Sequence, residues 1–293
     1  MASERVRGIV YTSLSAVVFG FTTILGRLTY TMGSNGVTLT FLRAALCLPV
    51  LLLLVKAKGI SLKLERREVG PVILLGSVGC ALTTILLYLS YNYKPVGLST
   101  TLHFIYPAVI AVGCMVLFRE RFGAWKLLAV VLSLAGVLLF IDLSSSASAA
   151  GFTLALLSGF TYAFYVIYMD WTGLKQLHYF KLSFYVCCCM ALCTGLFGVL
   201  SGQLVLTLPP QAWALSLMVS FFTSLCALPL FQLGVRYTGA STAAVLSTLE
   251  PITSIAVGFF VLGEEMSGLK WVGCVLILSG VVLVSATGSK KND

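Results

Sequence analysis

Glu250 stands directly before Pro251 in the apolar run VLSTLEPITSIAVGFFVLG, Val245 to Gly263. An ionised carboxylate near the centre of a membrane span costs about 2.5–3.5 kcal/mol on insertion scales, so it is expected to face a cavity or a partner rather than lipid. On a helix Ser247 and Ser254 share its face at steps of three and four, which makes a polar stripe. A second stripe runs through Ser99, His103 and Tyr106, directly before Pro107. An acid and an imidazole that meet across a cavity could recognise an amino group or carry a proton. Burial and mutual pairing act on their titration in opposite senses, and the sequence does not set the net result. The bland reading is that Glu250 bonds a backbone group freed by Pro251 or Pro107, while a neighbouring hydroxyl satisfies His103.

Arg43 lies several residues into its own apolar run. Two roles stay open for it: binding a carboxylate or a gate partner, and snorkelling to the outer interface. Thr84, Tyr88 and Tyr91 share one helical face, and Tyr162, Tyr165 and Met169 share another. With Gln232, these would line a site for a small, partly apolar solute bearing an amine or carboxylate. Core packing or an interfacial belt accounts better for any one of them taken singly. Other chemistries lack their residues: there is no HExxH, Walker loop or dinucleotide fingerprint, and the nine cysteines show neither zinc spacing nor a disulfide framework. No cofactor, metal or enzymatic activity is expected.

The elements that must position these groups are membrane spans. With 59% hydrophobic and 10% charged residues and a mean hydropathy of +1.01, the chain excludes an ordinary soluble enzyme. A helical span needs roughly 20 apolar residues. Ten such runs are predicted: Gly8 to Tyr30, Val37 to Val55, Val69 to Tyr91, Leu98 to Phe118, Trp125 to Leu143, Phe152 to Met169, Phe180 to Leu200, Ala212 to Val235, Ala240 to Leu262 and Leu269 to Ala286. Arg5 and Arg7 before the first run suggest a signal peptide, but its length and lack of a small-residue cleavage site favour a retained span. With the N-terminus inside, only Arg27, Lys94 and Lys270 fall outside and Arg43 within a span, so both termini are predicted to be cytoplasmic. The net charge of +9 therefore reads as topology, without the aromatic-interleaved basic patch of a nucleic-acid binder.

An internal repeat underlies this pattern. At an offset of 144 residues Tyr93 meets Tyr237, His103 meets Ser247, Tyr106 meets Glu250, Pro107 meets Pro251, Glu120 meets Glu264, Lys126 meets Lys270 and Gly136 meets Gly280. Tyr88 meets Gln232 in the same register. The halves, 1–145 and 146–293, each hold five spans. An odd number inverts the second half, so the fold class is an all-α integral membrane protein with a pseudo-two-fold axis in the membrane plane. That plan suits a secondary transporter with its site near the midplane.

On "FLRAAL", the second-half "LEP", "LGEE" and "LILSGVVLV", and their first-half copies "IYP", "FRE" and "LSLAGVLLF", the chain resembles the EamA-type branch of the drug/metabolite transporter superfamily, near its bacterial aromatic amino acid exporters. The resemblance implies an inner-membrane exporter or exchanger of small metabolites, amino acids prominent among them. Partners would then be a small solute and the lipid bilayer, with the protein a monomer or homodimer. A flippase for a lipid-linked carrier is one alternative; a lipid-modifying enzyme is a weaker one, since catalytic groups occur only as scattered singletons. Pro107 and Pro251 are expected to kink their helices, either as hinges or as fixed curvature. Glu120 and Glu264 are expected to cap the helices that follow them, with a local salt bridge also open to Glu120.

Overall fold

Lipid offers no hydrogen-bond partner, so each span must close its own backbone bonds. The computed structural model describes residues 2–91, 93, 96–120, 123–139, 149–263 and 267–287, and among them no strand occurs. The first half comprises α1 (Ala2–Thr31), α2 (Gly36–Ala57), α3 (Arg66–Leu74), α4 (Thr83–Tyr91), α5 (Val96–His103), α6 (Tyr106–Leu117) and α7 (Ala124–Leu138). The second comprises α8 (Ala149–Trp171), α9 (Tyr179–Leu200), α10 (Pro210–Val219), α11 (Leu228–Thr238), α12 (Ala240–Leu246), α13 (Leu249–Leu262) and α14 (Gly268–Thr287). Nine helical segments among the described residues are long and apolar enough to cross a membrane, and α7 is a shorter apolar helix at the place of the fifth run. The end of that run, like Lys94, Arg121, Glu264, Lys290 and Lys291, lies outside the described residues. Leu192, Leu200 and Phe260 are 72%, 78% and 78% exposed, as suits side chains that meet acyl chains.

The two halves are intertwined. α1 packs on α10, α11 and α13 of the second half, while α8 packs on α4, α5 and α6 of the first. Two further pairs are repeat-mates: α2 lies on α9, and α7 on α14. Gly136 and Gly280 bring that last pair together; a Cβ on Gly136 would lie 2.5 Å from the Gly273 carbonyl oxygen.

The prolines do not kink continuous helices as expected. Both spans are broken ahead of them, at Phe104–Ile105 and at Ser247–Thr248. Pro107 and Pro251 stand in the first turns of α6 and α13, where a missing N–H costs no intrahelical bond. Short-range bonds close the breaks: Ile105 N donates to Leu102 O at 3.2 Å, Thr248 N to Val245 O at 3.1 Å and Glu250 N to Ser247 O at 3.0 Å. The two polar stripes are therefore divided between half-helices. Each break is pressed against a glycine of the other half: a Cβ on Gly20 of α1 would lie 2.4 Å from Glu250 O, and one on Gly159 of α8 2.7 Å from His103 O.

Two features have no counterpart in the sequence reading. α3 and α4 are joined by a π-helical segment, Leu75–Leu82, and α10 and α11 by another, Ser220–Ala227, at corresponding places in the two halves. His178 caps α9 by accepting from Phe180 N at 3.2 Å; burial, with Lys58 and Arg236 nearby, lowers its pKa and keeps the imidazole a neutral acceptor.

Arg119 follows α6 with φ +52, and its repeat-mate Gly263 follows α13 with φ +67. The left-handed turn explains the Gly-Glu of the second half and makes Arg119 the strained copy. Arg119→Gly should stabilise the protein by about 0.5–1 kcal/mol. Gly20→Ala and Gly159→Ala should each destabilise it by about 1–3 kcal/mol. Thermal unfolding in detergent checks both signs.

Candidate transport cavity

Where the broken spans and π segments face one another they enclose a cavity of about 210 Å³. α1 contributes Thr23, Arg27 and Tyr30, one helical face at steps of four and three. Arg43 comes from α2, Thr84, Tyr88 and Tyr91 from α4, and His103 and Tyr106 from the two sides of the first break. Glu250 opens α13 on the facing wall. A helix start sets backbone N–H groups and a favourable dipole near this carboxylate. Among the described residues the Glu250 carboxylate has no ion pair or hydrogen bond, and Arg43 is the cation that acts on it.

Aromatic rings form a floor. Tyr106 and Tyr162 meet edge to face at 4.7 Å, Tyr162 stacks on Tyr165 at 5.8 Å, and His103 lies 5.5 Å from Tyr162. At the other end Tyr88 and Tyr91 pack edge to face at 5.4 Å, and the Tyr91 hydroxyl meets Thr100 at 3.2 Å. The Tyr106 hydroxyl, near Ser247, finds no hydrogen-bond partner, and neither does Arg43 Nε. Buried polar atoms left this way cost stability unless something else meets them. A site with both charge signs, an aromatic floor and unmet polar atoms can hold a small solute that carries a cation and an anion.

Glu250, His103, Tyr106, Tyr88, Tyr165 and Arg43 thus line one cavity. Three expectations fail. His103 is not paired with Glu250; its Nδ1 lies 2.9 Å from Ser158 Oγ of α8, the hydroxyl partner of the bland reading. Ser247 does not face the cavity, because the break turns it and its hydroxyl donates to Ala243 O at 2.9 Å. Gln232 is buried behind the wall, accepting from Ser183 Oγ at 2.9 Å and reaching the Tyr165 hydroxyl at 3.4 Å. Arg27, expected on the outer side, also lines the cavity. Its periodicity with Thr23 and Tyr30 was the available signal.

Lipid-facing helices around an internal cavity with aromatic walls and a few charged groups suit a multi-pass membrane transporter. The sequence matches the EamA-like transporter family twice, over residues 6–141 and 149–286, and the chain belongs to that family. It is 25% identical to an uncharacterized inner membrane transporter of Salmonella typhimurium, YicL, across 99% of both chains. With an uncharacterized transporter of Bacillus subtilis, YwfM, it shares 31% identity over 59% of this chain and 58% of that one. A solved crystal structure superposes with a TM-score of 0.84 over 97% of this chain and 99% of the other, at 15% identity, a likeness of fold alone. The family is one of transporters rather than enzymes, and the protein is a multi-pass cell-membrane protein.

Tyr106→Phe removes an unmet hydroxyl and should leave thermal stability unchanged or raised by up to about 1 kcal/mol. Gln232→Ala removes a buried bonded group and should lower it by about 1–3 kcal/mol. Parallel melting curves of the two variants decide whether these groups differ as described.

Proposed function

We propose that the protein exports or exchanges a small metabolite, an amino acid or close relative, across the bacterial inner membrane by alternating access. In this reading ten spans form two inverted repeats, 1–145 and 146–293, with both termini cytoplasmic. The observation that carries it is the cavity in which an unpaired Glu250 carboxylate faces Arg43 across aromatic walls. Glu250 would take the ammonium of the solute and Arg43 its carboxylate. His103, Tyr106, Tyr88 and Tyr165 would shape the space between, with Ser247 and Gln232 holding the wall from behind. Pro107 and Pro251 would fix where each span breaks, so that the half-helices can tilt separately.

The test is counterflow in proteoliposomes with labelled amino acids, nucleosides and small amines, against empty liposomes. A protein-dependent amino acid signal is expected. Glu250→Gln should reduce it by about 10–100-fold, the loss of one charge-assisted bond, and should alter its pH dependence. An amino acid signal with unchanged rate and pH profile in Glu250→Gln would remove Glu250 from recognition. Silence for every soluble solute, with translocation of a lipid-linked carrier, would replace the proposal by a flippase.

A further inference from the structure

The cavity occupies only one half of the bundle. Its lining comes from the end of α1 that leads into α2, the start of α2, α4 and the π segment before it, and both sides of the α5–α6 break, together with mid-span residues of α8 and α9, of the α10–α11 span with its π segment, and Glu250 at the start of α13. The opposite half is filled, and a single half-helix does much of the filling: all seven residues of α12, Ala240–Leu246, are buried. It packs against α6, α11 and α14 and closes the cavity from that side. Its repeat-mate α5 stands differently, with Thr100 and His103 exposed to the cavity. The two equivalent half-helices are thus in unequal positions, one a wall and one a plug.

The start of α12 is held from two directions. Gly239 turns the chain with φ +80, and Ala240 N donates to Asp170 Oδ2 at 2.8 Å; Asp170 also pairs with Lys175. These groups belong to the same half of the chain and tie the first residue of α12 to Asp170 near the end of α8. The second hold crosses between halves. Ser241 Oγ donates to Glu120 Oε2 at 2.9 Å and accepts from Lys126 Nζ at 2.7 Å, while Lys126 and Glu120 form an ion pair. Glu120 reaches this position because the chain reverses at Arg119. It does not cap α7 as expected: Gly123 stands at that start. Ser241 is 4% exposed, while the Lys126 and Glu120 side chains that meet it are 18% and 35% exposed, so its hydroxyl is buried against a partly solvated ion pair.

We propose that Glu120, Lys126 and Ser241 form the latch of a gate, with α12 as its moving part, and that the latch opens each time the cavity turns to the end that carries the N-terminus. The proposal rests on the alternating-access reading above but not on the identity of the solute. The latch residues lie apart from the cavity, so they act on access rather than on recognition.

Access can be read directly with Thr84→Cys as a reporter in the cavity wall. Membrane vesicles are treated with an impermeant maleimide from one side or the other, and labelling at position 84, resolved from the neighbouring Cys80 by fragment ions and by the unsubstituted protein as control, is followed by mass spectrometry. The protein with an intact latch should label chiefly from the side opposite the N-terminus. Ser241→Ala, which deletes only a hydroxyl, and Glu120→Gln should each speed labelling from the N-terminal side by about tenfold. Exchanging the charges, Glu120→Lys with Lys126→Glu, should return the rate toward that of the intact latch. Slow labelling from the N-terminal side that neither variant changes would overturn the latch and leave alternating access standing. The same follows if the exchanged pair behaves as Glu120→Lys alone. No labelling from that side in any protein would overturn both.

Discussion

Backbone that cannot be hydrated must be bonded or enclosed, and most of this architecture follows from that constraint. Among the described residues four places depart from regular α-helix within spans: the breaks at Phe104–Ile105 and Ser247–Thr248, and the π segments Leu75–Leu82 and Ser220–Ala227. Residues at or beside all four face the same cavity. Irregular backbone is tolerated at membrane depth only where protein or a cavity surrounds it, so the departures and the site occupy one region. The glycines at positions 20 and 159 complete the enclosure by letting α1 and α8 come against the breaks.

The pairing of halves then gives the molecule its asymmetry. Because α1 and α8 each pack on spans of the opposite half, neither half is a separate body around its own core. Equivalent half-helices share one central space. One of them, α12, is bound in place by side chains from both halves, and the other, α5, lines the open side. A carboxylate at the start of α13 and a guanidinium from α2 both line what remains between them.

Much of this was legible in the sequence. Hydropathy and charge placed the spans, the 144-residue register exposed the repeat, and the cost of a charge in lipid marked Glu250. What escaped has physical reasons. A proline signals a helix interruption without saying whether it bends a helix or opens a new one, so Ser247 was put on the wrong side of the break. A π segment depends on packing against neighbours and has no composition of its own. Counting charges along the chain gives Arg27 a side of the membrane but not what it faces; its spacing from Thr23 and Tyr30 is what sets it on a cavity face. The Glu120–Ser241 contact joins residues far apart in sequence, and a sequence read without a partner offered only a local role for the carboxylate.

The central claim is that one site is reached alternately from two ends. The measurement that bears on it most directly is a pair of spin-label distances in lipid nanodiscs, with labels carried on unnatural residues so that the nine cysteines remain. One pair, at Thr31 and Tyr93, spans the open end; the other, at Gly123 and Arg236, spans the end closed by α12. The account predicts two populations for each pair, and when the latch is broken by Ser241→Ala the population at the longer distance falls at the open end and rises at the end closed by α12. A single unchanging distance at both ends would contradict it.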